Sequence, residues 1–163
     1  CGCAGSPTKP DFYVGPSGPD STLPSTAYRY DRYLNDDGSS NKWGQQMLET
    51  NEGQVTYFGF EDYPTGAAAR DAFQIKGLEH VDQSNPLDRS WSDARLKGQF
   101  DTLQLYHAGE PQVRVPREFG DKNGAPLEPY TSAYPEYGEG GTRQLYAEKQ
   151  VVQYDKVEIL PEE

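Results

Sequence analysis

Long apolar runs, cysteine, histidine and positive charge are all scarce in this chain, and each scarcity removes a class of function. No apolar run approaches the ~20 residues that a helix needs to cross a bilayer. The opening residues do not read as a signal peptide, so a membrane role is not expected. Only two cysteines occur, Cys1 and Cys3. They are too close together to staple a fold and have no third partner. A disulfide framework is therefore not expected, which fits a reducing compartment. Two thiolates alone also make a poor metal site. The histidines are His80 and His107, and no H-x-x-x-H or C-x-x-C is present. "NDDGSS" lacks the spacing of a calcium loop, there is no G-x-S-x-G elbow, and "GEGG" precedes a strand rather than a helix. Bound metal, a serine or cysteine nucleophile and a phosphate loop are not expected.

Lysine and arginine number 15 against 26 aspartates and glutamates, for a net charge of −11. Such a chain repels phosphate backbones, so general nucleic-acid binding is not expected, whereas a basic partner protein would be attracted. Hydrophobic residues make up only 34%, but 12 tyrosines and 6 phenylalanines compensate, because each buries a large area. Seventeen glycines and 13 prolines imply many turns and few long helices. With 163 residues there is enough chain for one domain with a real core.

Residues 1–24 read as a Gly/Pro/Ser-rich arm with one short strand candidate, "DFYV", and "CGCAGSPTKP" looks like the cut end of a longer chain. The domain proper is expected over 25–163. "STAYRYDRYL" (25–34) alternates with period two and predicts a strand. "NKWGQQMLET" (41–50) predicts a helix capped by Asn41, and "TGAAARDAFQI" (65–75) one capped by Thr65. Between them "GQVTYFGF" (53–60) predicts a strand. "WSDARL" could form a helical turn. "QFDTLQLYHA" (99–108) and "PQVRVP" (111–116) predict a third and a fourth strand. A long loop then precedes "TRQLYAEK" and "QVVQYDKVEIL", read as a closing hairpin. Loops of that length are usually functional or draped over a surface. The class is α+β with a strongly β core and two or three short helices.

The chemistry that remains is an arginine, aromatic and glutamine set at strand ends. Arg29 cannot lose its charge, and its planar fork suits phosphate. Tyr57, Phe58, Gly59 and Phe60 supply ring faces around a glycine that lets a flat ring approach the backbone. Arg70 could add a second phosphate contact. Gln144, just past Gly140 and Gly141, offers a donor and an acceptor for a ribose hydroxyl. Each has a plainer alternative. Rings such as Tyr57, Phe58 and Phe60 are more often core residues, Arg29 could pair with a neighbouring carboxylate, and Gln144 could be solvated. His80 and His107 are either surface residues or the acid–base pair of a ribonuclease.

Taken in order, "LPSTAYRYDRY", "TYFGF" with "AAARDAFQI", and "APLEP…PEYGEGGTRQLY" resemble the C-terminal toxin domains of Rhs-type polymorphic toxins. The order is similar to that of the ADP-ribosyltransferase superfamily, in its tuberculosis-necrotizing-toxin-like NAD glycohydrolase branch. There an early strand reads LPxGxRxDRxG, matched here by Leu23, Pro24, Arg29, Asp31 and Arg32. A late Gly-Gly-x-x-Gln is matched by Gly140, Gly141 and Gln144.

The resemblance implies a split-sheet ADP-ribosyltransferase-like fold with an NAD+ cleft. Gln144 would be its third-motif residue, Arg29 (or Arg32) the NAD+ grip, and "TYFGF" with the Arg70 helix the nicotinamide wall. Glutamine in place of glutamate favours hydrolysis of NAD+ over ADP-ribosyl transfer. Glu136 or Glu139 could still supply a carboxylate for a macromolecular acceptor. It further implies an antibacterial effector in interbacterial competition. Such a domain is delivered by a contact-dependent or type VI-like system, acts in the recipient's cytoplasm and is neutralised by a cognate immunity protein.

Overall fold

Both helices start where their caps predict. The computed structural model describes residues 23–35, 38–88, 90, 94–107, 110–113, 116 and 130–161. The expectations for the N-terminal arm, for Cys1 and Cys3 and for positions 117–129 lie outside them. Asn41 accepts from the amides of Trp43 and Gly44, both at 3.1 Å, and opens helix α1, Lys42–Thr50. Thr65 accepts from the Ala68 amide at 3.1 Å and opens α2, Gly66–Phe73. A cap of this kind contributes about 1 kcal/mol by pairing an amide that the helix leaves open. Both helices end on a left-handed residue, Asn51 (φ 54°) and Gln74 (φ 56°).

Strands β1 (Thr26–Arg32), β2 (Glu52–Phe58), β3 (Ala94–Asp101) and β6 (Leu145–Ile159) form one antiparallel sheet in the order β1-β3-β6-β2. The sheet curls until its outer strands meet. Tyr28 and the residue after β2, Gly59, exchange backbone hydrogen bonds of 2.8 and 3.0 Å. The period-two pattern of β1 sorts its residues between two cores. Ala27 packs with Met47, Val55, Phe58, Phe100, Leu145 and Tyr154, while Tyr28 and Tyr30 pack with Ala69, Phe73 and Leu160.

Three sequence expectations give way to longer-range pairing. The last 15 residues of the ladder are one strand, β6, not a hairpin. Its first half pairs with β2 and its second half with β3, so no turn is needed between them. "WSDARL" is not a helical turn across its described part, because Ala94 already pairs with Arg32 at the start of β3. "QFDTLQLYHA" does not continue as a strand. The Asp101 carboxylate accepts from the Leu103 amide at 2.9 Å and caps a 3₁₀ turn, Thr102–Leu105. A two-residue ribbon follows, β4 (Tyr106–His107) on β5 (Glu110–Pro111), and among the described residues of the fourth expected strand, 111–116, only Pro111 belongs to it.

Candidate functional site

Closing the sheet brings β1 beside the end of β2, and a hollow of about 600 Å³ opens there. Arg29 and Asp31 enter it from one face of β1, and Thr56, Tyr57 and Phe58 from β2. The guanidinium is held on two sides. Its Nη1 donates to the carbonyl of Tyr57 at 2.9 Å, and Nη2 lies 3.5 Å from the Asp31 carboxylate. Its Nε is buried and has no hydrogen-bond partner among the described residues.

The opposite wall is the end of α2 with the 130–144 segment laid across it. Gln74 is 4% exposed and works as a clamp: its carbonyl accepts from the Tyr134 amide at 3.0 Å, and its Nε2 donates to the Gly138 carbonyl at 3.1 Å. The bend that follows needs left-handed backbone at Gly140 (φ 72°) and Gly141 (φ 85°). It is pinned by bonds from the Gly140 amide to the Asp71 carbonyl (3.0 Å) and from the Gly141 amide to the Thr131 carbonyl (2.9 Å). The segment delivers Tyr134, Tyr137 and Gln144 to the hollow. Gln144 is 7% exposed, and its Oε1 is buried with no hydrogen-bond partner among the described residues. An amide oxygen in that state costs about 1–3 kcal/mol, which a ligand donor would recover.

Of the residues singled out in the sequence, Arg29, Tyr57, Phe58 and Gln144 line this hollow. Phe58 is at the same time a core residue. It is 1% exposed and packs against Phe60 and Phe100, as the core alternative held. Gly59, Phe60, Arg70 and Arg32 stand elsewhere. The flat ring that uses the missing side chain of Gly59 is the protein's own: a Cβ there would lie 2.7 Å from the Phe73 ring. Phe60 packs under the Arg143 guanidinium, 4.8 Å from its ring centre. Arg70 is buried in α2 away from the hollow, and the helix contributes Phe73 and Gln74 instead. Arg32, an odd number of residues from Arg29 and so on the other face of β1, donates to the Ser90 carbonyl at 2.7 Å.

Glu136 and Glu139 are exposed and do not line the hollow; its carboxylate is Asp31. The strand period could have shown this, since Asp31 lies two residues from Arg29 and so shares its face. No local signal marked Gln74, Tyr134 or Tyr137. Lys76 also reaches the hollow, paired with Asp88, whose hydrogen bond raises the ammonium above its usual range. His80 packs edge-on against Tyr137, and His107 is exposed on β4. Neither lines the hollow.

Among the described residues no group of three or more His, Cys, Asp or Glu is arranged to hold a metal ion, and no helix is long and apolar enough to cross a membrane. No protein-family model, no curated protein and no solved structure matches this chain.

Proposed function

We propose that this domain consumes NAD+, hydrolysing the bond between nicotinamide and ribose. The observation that carries the reading is the meeting of Arg29 and Gln144 in one hollow, the latter with a buried acceptor left open. At about 600 Å³ the hollow falls within the range of small-molecule sites and admits a nicotinamide riboside. The arginine suits the pyrophosphate, Tyr57, Tyr134 and Tyr137 suit the flat ring, and the Gln144 carbonyl suits a ribose hydroxyl donor.

The reaction asks little of such a site. The C1′–N bond breaks with its electron pair going to nicotinamide, which departs neutral, so no general acid is needed. Water adds to the oxocarbenium-like C1′ and gives up a proton to solvent, leaving ADP-ribose. The protein's work is to fix the ribose and to favour the positive charge that develops there. Asp31, in the same hollow, carries the sign that favours it.

The curled, β-rich α+β frame with two helices is compatible with an ADP-ribosyltransferase-like arrangement. The wider reading is an antibacterial toxin domain delivered into a competitor and blocked by an immunity protein. It rests on the resemblance of the quoted motifs. Asp31 also favours a second reading, ADP-ribosyl transfer, because its carboxylate could activate an acceptor. Purified protein is expected to release nicotinamide from NAD+, with Gln144→Ala inactive yet folded. An inert purified wild type overturns hydrolysis. Labelled NAD+ added to lysate separates them, since transfer leaves label on a macromolecule.

A further inference from the structure

A second hollow, of about 480 Å³, adjoins the first. Asp31 and Lys76 line both, so one extended ligand can run from one into the other. The second is walled by Trp43, Leu87, Arg32 and Asn41. Trp43 is 63% exposed and Leu87 83% exposed. Two large apolar side chains left in water at the rim of a polar groove suggest a flat apolar ligand.

The charge distribution says what that ligand carries. The two hollows hold three cations, Arg29, Arg32 and Lys76, against two carboxylates, Asp31 and Asp88, in a chain of net charge −11. Lys42 adds a further ammonium 5.1 Å from the Trp43 ring centre. The α1 amides do not supply this attraction, because Asn41 already caps them. A purine on an indole face, with phosphates toward Arg32 and Lys76, matches the lining.

Building on the NAD+ reading, we propose that the second hollow is an adenylate subsite. Trp43 stacks on the purine with Leu87 beside it, the pyrophosphate runs past Arg32 and Lys76 to Arg29, and the nicotinamide riboside end occupies the first hollow. The site therefore prefers dinucleotides to mononucleotides.

The test compares NAD+ with nicotinamide mononucleotide, which lacks the adenylate, and titrates AMP by calorimetry. Trp43→Ala and Leu87→Ser alter exposed side chains, and circular dichroism checks that both variants fold. The expected result is at least about a tenfold loss of kcat/KM on NAD+ in Trp43→Ala, a smaller loss in Leu87→Ser, and mononucleotide cleavage within about twofold of wild type. AMP should bind the wild type and bind Trp43→Ala at least about tenfold more weakly. Equal losses on both substrates, or none on either, overturn the adenylate subsite while leaving the hydrolysis reading intact. A wild type inert to both substrates sinks the hydrolysis reading alone. AMP titration then decides the subsite, and AMP binding that is absent, or unchanged by Trp43→Ala, overturns it.

Discussion

The Arg29 guanidinium bonds through Nη1 to the carbonyl oxygen of Tyr57 at 2.9 Å, tying β1 to β2 across 28 positions of sequence. Together with Asp31, this contact uses two corners of the fork and fixes its plane in the hollow. Lysine keeps the charge but has a single nitrogen and no plane. Arg29→Lys is expected to lower kcat/KM for NAD+ by about 10–100-fold and to cost roughly 1 kcal/mol of stability in urea unfolding, the size of one hydrogen bond. Wild-type turnover by this variant would show that the fork is not used.

Gln144 separates activity from stability. Its buried carbonyl lacks a partner, so replacing the amide with an apolar side chain of similar volume removes a desolvation cost. Gln144→Leu should match or exceed the wild type in thermal midpoint, by up to a few degrees, while losing about 100-fold or more of its NAD+ turnover. Scanning calorimetry and a nicotinamide-release assay on one preparation check both halves.

The two glycines of the bend are not equivalent. At Gly140 a Cβ would lie 2.6 Å from both the Gln74 amide nitrogen and the Thr131 carbonyl, whereas at Gly141 nothing lies within 4 Å. Both have positive φ, so alanine at either costs about 1–2 kcal/mol in backbone conformation. Gly140→Ala should cost about 1–3 kcal/mol more, because it strains the clamp that seats Gln144. Equal destabilisation of the two variants in urea unfolding would refute this difference.

Alkaline pH should unfold the domain. Burial pushes the phenols of Tyr30 and Tyr154 far above their ordinary value near 10. Burial also works against the Lys97 ammonium, but its hydrogen bonds to Asp62 and Glu158 outweigh that and leave it raised. In all three the folded state holds its proton more tightly than the unfolded chain. Their contribution is therefore complete below about pH 10 and is lost as pH rises beyond it. Phenolate absorbance should show two tyrosines ionising only with unfolding. Tyr154→Phe, which removes a buried hydroxyl without a hydrogen-bond partner among the described residues, should weaken the alkaline loss without lowering stability at neutral pH.

What could be read from the sequence was local. Asn41 and Thr65 announced their helices because a cap bonds to amides two or three residues away. The alternation of Tyr28 and Tyr30 against Arg29 and Asp31 in β1 announced a strand with two faces, and Gly140 and Gly141 announced a bend that only glycine makes easily. Arg29 and Gln144 could be singled out by chemistry alone, as side chains that grip a phosphate and a ribose.

Tertiary pairing decided the rest. Whether β6 is one strand or two depends on β2 and β3, which share its length from far earlier in the chain. Arg29 rather than Arg32 lines the hollow because residues three apart alternate to opposite faces of β1, and only the closed sheet decides which face borders the hollow. Gly59 serves Phe73, and Gln74 clamps the 130–144 segment, through contacts between residues 14 or more positions apart. Caps and periods are written in neighbouring residues. A hollow is the space left where distant residues fail to touch, so only the closed sheet could set its walls.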